Sequence, residues 1–195
     1  MSERQIYAAY DDAGIYVYQA FMPSIVQAAL AKGTFGDGFA FDRMTWIKPS
    51  FGWMLYRSGY ATKPNQEAIL KIKLSHAGFL AILRQSVPST FDPSVFPSPS
   101  AWKSALSRLS VRHQWDPDRD VSGHTLQRRA IQIGISGATV LSYVNEWIIG
   151  LEDVTVLAQA IQAAVQAKLL LPDVPEERLY PVDEALQHSL GMSSD

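Results

Sequence analysis

Residues 5–33 read QIYAAYDDAGIYVYQAFMPSIVQAALAKG, and this stretch decides the class of fold. Two short runs rich in Ile, Val and Tyr, 5–10 and 15–21, flank DDAG, whose Gly14 suits a tight turn. The pattern predicts two strands joined as a hairpin. Pro23 stands where the first residue of a helix can do without its N–H, and Gly33 stands where a helix stops. The next element is therefore a helix over 23–32. A hairpin followed by a helix breaks the strand–helix–strand rhythm of a doubly wound sheet. The expected class is α+β, with mixed, mostly antiparallel sheets and flanking helices.

Working outward, the second decisive stretch is residues 43–59, RMTWIKPSFGWMLYRSG. Lys48 precedes Pro49 and is biased to an extended conformation, while Pro49 can open a helix that closes at Gly59. On that helix Phe51, Met54, Leu55 and Ser58 share a buried side. Ser50, Trp53 and Arg57 share the opposite one, with Trp53 and Arg57 four apart. Upstream, Arg43, Thr45 and Lys48 are read on one face of an extended piece, with Met44 and Trp46 on the other. Further strands are expected over 68–74, 111–115, 130–135 and 147–151. Helices are expected from Ser75 to about 85, over 102–109, over 136–145 and after Asp153. The four prolines between 87 and 100 predict a long loop. Residues 1–171 are read as a single domain, and 172–195 as an acidic, loosely packed tail.

Composition excludes several classes of function. The 195-residue chain is 47% hydrophobic and 18% charged, as an ordinary globular protein is. It has no cysteine, which removes disulfides, thiolate metal sites and cysteine nucleophiles and suits a reducing, cytoplasmic setting. No apolar run approaches membrane-spanning length and no secretory signal opens the chain, so a soluble protein with no membrane partner is expected. Net charge is −2, yet residues 43–129 carry 13 Lys/Arg against 5 Asp/Glu. A basic middle in an acidic frame points to a localised anion site.

Three constellations could carry chemistry. Trp53 beside Arg57 offers a stacking plane next to a charge for phosphate or carboxylate, with Ser50, Lys48, Trp46, Thr45 and Arg43 nearby. His113 could act as a base if Asp116 or Asp118 oriented it. Glu146, where a helix gives way to an apolar strand, is read either as half of a structural pair with Arg128 or Arg129 or as a catalytic carboxylate. The four histidines form no metal-ligand pattern, and no glycine-rich phosphate motif is present, so no metal is expected.

The segments IYAAYDD, IYVYQAF, RMTWIKPSFGWMLYRSG, QWDPDRD, RAIQIGIS and EWIIGLEDVT resemble the uncharacterised domain-of-unknown-function family 4291 over nearly the whole chain. More remotely, VYQAFMPSIVQAALAKGTF and EWIIGLEDV resemble two segments of ADP-ribosyltransferase-like domains. That resemblance implies NAD as the cofactor. It puts Gln19 where those domains carry the His or Arg that binds NAD, with Tyr18 beside it, and Glu146 at the catalytic glutamate. Residues 46–56 would be the helix flanking the nicotinamide, and Arg43, Lys48 and Arg57 would hold the pyrophosphate. The expected function is thus an ADP-ribosyltransferase-like domain that binds NAD or a related nucleotide. The alternative is a non-catalytic binder of RNA or single-stranded DNA that stacks bases on Trp46, Trp53 and Trp115.

Overall fold

The computed structural model describes residues 3–193. In chain order its strands are β1 (Tyr7–Ala8), β2 (Gly14–Phe21), β3 (Thr45–Ile47), β4 (Ala68–Ser75), β5 (Ser86–Pro88), β6 (Val111–Arg119), β7 (Thr125–Ile135), β8 (Ile148–Asp153) and β9 (Arg178–Leu179). The helices are α1 (Pro23–Lys32), α2 (Phe51–Ser58), α3 (His76–Arg84), α4 (Pro99–Arg108), α5 (Ala138–Ser142), α6 (Thr155–Ala167) and α7 (Glu184–Ser189). A π-helical turn, Tyr143–Trp147, follows α5. The fold is α+β. Its sheets run in the orders β2-β4-β8, β3-β7-β6-β5 and β1-β9, antiparallel except for the parallel pair β5-β6.

Local chemistry accounts for much of this. Pro23 opens α1, and Gly33 closes it at φ 79°, a conformation that costs glycine little. Ser75 caps α3 by accepting from the Gly78 N–H at 3.2 Å. Asp153 accepts from the Thr155 N–H at 2.8 Å, just ahead of α6. In the proline-rich segment Ser98 caps α4, so the helix begins at Pro99 rather than 102.

The expected hairpin is incomplete. Tyr10 bridges Ile15, but β1 takes β9 as its partner, while β2 pairs along its full length with β4. The reason lies in the C-terminal segment, which packs more tightly than its composition suggests. Tyr180, Leu186 and Leu190 are buried in the main core, beside Ile6, Ile15 and Phe79. Leu186 and Leu190 stand four apart, the spacing that puts side chains on one side of a helix.

The three-stranded sheet is covered on both sides. Ile15 and Val17 of β2, with Leu70 and Ile72 of β4, face the main core; Tyr18 and Ile69 face a second cluster with Phe51, Met54 and Leu55 of α2 and Ala158 and Ile161 of α6. A backbone bridge joins this sheet to the four-stranded one. The Tyr18 N–H donates to the Lys48 carbonyl at 2.7 Å, and the Lys48 N–H donates back at 3.3 Å. Lys48 is therefore fixed at the seam between the sheets.

Candidate functional site

Alternation along β3 decides which side chains meet. Thr45 and Ile47 are buried, so Trp46 and Lys48 fall together on the other face of the four-stranded sheet. Lys48 thus joins Met44 and Trp46, not Arg43 and Thr45, because a period of two separates odd from even positions. Gly134 on β7 makes room for this layer: a Cβ there would lie 2.6 Å from the Met44 Sδ and 2.9 Å from the Trp46 ring. The register places Gly134 opposite Arg112 and Gln132 opposite Gln114, with Asp116 two positions further along β6. One sheet face thus collects Trp46, Lys48, Arg112, Gln114, Asp116 and Gln132.

The charges on this face are closely held. The Lys48 Nζ donates to the Trp46 carbonyl at 2.8 Å and lies 5.7 Å from the centre of the Trp53 ring. The residue as a whole is half-buried, but its ammonium end is packed among protein atoms. That desolvation, followed by repulsion from Arg57 and partly offset by Asp116, lowers Lys48 to about 7. The Asp116 carboxylate accepts from Gln114 Nε2 at 3.2 and 3.3 Å and also from Gln132 Nε2. The Arg112 Nε is buried with no hydrogen-bond partner. Lys48 and Arg57 repel each other, and the orphaned Arg112 nitrogen lies on the same sheet face, so this face is one that a bound anion would stabilise.

The aromatic wall expected from α2 is not open. Trp53 is 6% exposed and Ser50 2%. Ser50 accepts from the Trp53 N–H at 3.2 Å and donates to Asp118 Oδ1 at 2.6 Å, a cap and a buried tie rather than a ligand contact. Gly52 is pressed against the Arg119–Asp120 backbone, where a Cβ would stand 2.2 Å from the Arg119 carbonyl oxygen. The helix is thus packed from two sides, which spacing within one helix does not reveal. Arg57 alone of that trio is exposed. The segment 46–56 is a strand followed by a helix, not one helix.

The two residues carried over by resemblance differ in exposure, although Gln19 is tied to the π-helical turn that carries Glu146. Gln19 is buried, with Nε2 donating to Thr45 Oγ1 at 2.6 Å and Oε1 accepting from the Tyr143 hydroxyl at 2.7 Å. Both ends of its amide are occupied by protein. Tyr18 is fully buried beneath α2. Glu146 lies on the π-helical turn, exposed, accepting from Ser142 Oγ at 3.2 Å. Arg128 and Arg129 are elsewhere: Arg128 binds Asp118 at 2.8 Å and faces Glu177 at 3.6 Å, while Arg129 donates to the Trp115 carbonyl. Arg43 is exposed on the loop before β3.

His113 is buried against Ser86 Oγ at 2.9 Å, and burial with repulsion from Arg4 lowers it to about 4. It stays neutral at ordinary pH. Neither aspartate orients it: Asp116 points from the opposite sheet face, and Asp118 serves Ser50 and Arg128. Glu177 escaped the sequence reading altogether. It accepts from the Phe51 N–H at 2.5 Å, and burial raises it to about 8. Nothing in its acidic, proline-containing surroundings marks it as a core residue.

A cavity of about 1010 Å³ opens beside β6 where β5 ends, bordered by Ser89, Phe91, Gln114, Asp116, Arg129 and Met192. Among the described residues no group of three or more His, Asp or Glu side chains is arranged to hold a metal ion. None of their helices is long and apolar enough to cross a membrane. The family model described as "Domain of unknown function (DUF4291)" matches residues 5–180. A search of curated proteins returns no match.

Proposed function

The chain belongs to the DUF4291 family, and we propose that it binds a nucleotide, NAD or a close relative, on the polar face of its four-stranded sheet. The observation that carries this reading is Lys48, desolvated at the seam of the two sheets, repelled by Arg57 and on the same sheet face as the partnerless Arg112 Nε. A diphosphate would supply the missing negative charge. Trp46, half-buried and lying over Gly134, offers an indole for a planar base. Asp116, held by two glutamine amides, is a ready acceptor for ribose hydroxyls.

Binding is better supported than ADP-ribosyl transfer. In the transfer version Glu146 would stabilise the oxocarbenium-like ribose and Gln19 would orient it. Gln19, however, spends its amide on Thr45 and Tyr143. The nucleic-acid alternative has less support: Trp53 is buried, and Trp46 and Trp115 belong to opposite faces of the sheet, so the rings make no common platform. The test is the melting temperature with and without NAD at pH 6.5. The expected result is a rise of several degrees that disappears in Lys48→Met. No rise, or an equal rise in the variant, overturns the proposal.

A further inference from the structure

Strand β6 outruns its neighbour. β5 pairs with it only from Ser86 to Pro88, and the last backbone bond runs from the Ser89 N–H to the His113 carbonyl at 2.8 Å. β6 continues to Arg119, and among the described residues no strand follows it on that side. Backbone groups of alternate residues point the same way, so the N–H and carbonyl of Trp115 face the same edge as those of His113. That carbonyl receives a side chain, Arg129 Nη1 at 2.9 Å, rather than another strand. The cavity of about 1010 Å³ opens against this edge, and its volume lies at the top of the range of about 300–1,000 Å³ usual for ligand sites. One wall is formed by residues 89–94, tied to the N-terminal segment by the ion pair of Arg4 with Asp92 at 2.6 Å. Lys48 does not border the cavity, and the site is independent of the nucleotide reading.

The charges bordering the cavity are divided between the two faces of the sheet. Asp116 lies on the face of Gln114 and Gln132, whose amides hold its carboxylate, and among the described residues it forms no ion pair. Arg129 stands opposite Pro117 and so belongs to the other face, with Trp115. Arg4 and Asp92 neutralise each other. An extended chain laid along the edge alternates its side chains between the same two faces. We propose that the cavity receives a short extended peptide that pairs with the backbone of β6 at Trp115. Its residue opposite Trp115 is acidic and turns toward Arg129, and the adjacent residue is basic and turns toward Asp116. The open strand edge supplies backbone hydrogen bonds to any sequence. The divided charges supply the selection.

The experiment titrates the whole nitrogen-15-labelled protein with two blocked tetrapeptides, acetyl-Val-Glu-Lys-Val-amide and acetyl-Val-Lys-Glu-Val-amide, whose two orders cover both strand directions. The expected result with at least one of them is a saturable shift of the Ser89, Gln114, Trp115 and Asp116 amide signals. Hydrogen exchange at the Trp115 amide should slow at least about tenfold at saturation. Changing the peptide Lys to Glu should weaken binding about tenfold. Asp116→Lys should reverse that preference, and the milder Asp116→Asn should abolish it, so that either variant decides if the other fails to fold. Peptides methylated on their backbone nitrogens should not bind, because they lack the N–H that a strand partner donates. No saturable shift with either peptide up to about 5 mM overturns the proposal. So does undiminished binding of the methylated peptides, or a preference for Lys that survives at full strength in both variants.

Discussion

Replacing Lys48 by methionine should stabilise the protein in mildly acidic solution, against the usual expectation for losing a hydrogen-bonded residue. Lys48 is held at about 7 in the fold against an ordinary value of 10.5. Its depressed value means that the folded state resists protonation. The resulting penalty is fully present below about pH 7 and is relieved as pH rises toward 10.5. The full difference corresponds to a ceiling of roughly 4–5 kcal/mol. Because the residue keeps some contact with water, we take about half of that as the real penalty. Methionine also gives up the bond to the Trp46 carbonyl, which costs about 1 kcal/mol. The net gain at pH 6 is then about 1–2 kcal/mol, or several degrees in melting temperature for a chain of this size. Urea denaturation of both proteins at pH 6, 7, 8 and 9 tests it, and titrations elsewhere in the chain cancel in the difference. The advantage should shrink steadily above pH 7. A variant less stable at pH 6, or a difference that ignores pH, refutes the reasoning.

Three other outcomes follow from the same geometry. Glu177→Gln should match the parent near pH 5 and exceed it by about 2 kcal/mol at pH 8.5 in denaturant melts; the raised Glu177 favours the fold below its ordinary value of 4.5, and that advantage is lost as pH climbs through about 8. Leu186→Ala should cost about 2–4 kcal/mol by urea denaturation, because its side chain is part of the main core; a cost near zero would mean that the C-terminal segment is not docked. Gly134→Ala should cost about 1–3 kcal/mol and shift tryptophan fluorescence, since the new methyl must displace Met44 and Trp46.

Signals confined to one element were legible in the sequence. Pro23 with Gly33, Ser75 and the alternation through β4 act within a few residues, and each gave its element nearly to the residue. Pairing across distance was not. That β1 would leave β2 for β9 depends on residues about 170 positions away, and no local pattern encodes that choice. The site shows the same division. Lys48 was a candidate from its tryptophan-rich, proline-flanked setting, whereas Asp116, Gln114 and Gln132 become its neighbours only through the β3-β7-β6 order. Trp53 looked open because helical spacing reports one side of α2, and the backbone of residues 119–120 that presses on Gly52 comes from another strand. Glu177 lay hidden in an acidic stretch whose burial depends on meeting Phe51 and Arg128.

The most direct test of a nucleotide site built on Lys48 is the proton count on binding. Calorimetric titration of NAD into the protein at pH 7.5, in two buffers of different ionisation enthalpy, measures it. A diphosphate beside a lysine held at about 7 should raise that lysine's affinity for its proton, so binding should take up a fraction of a proton, and Lys48→Met should take up none. Binding with no proton uptake, or with the same uptake in the variant, would contradict the account.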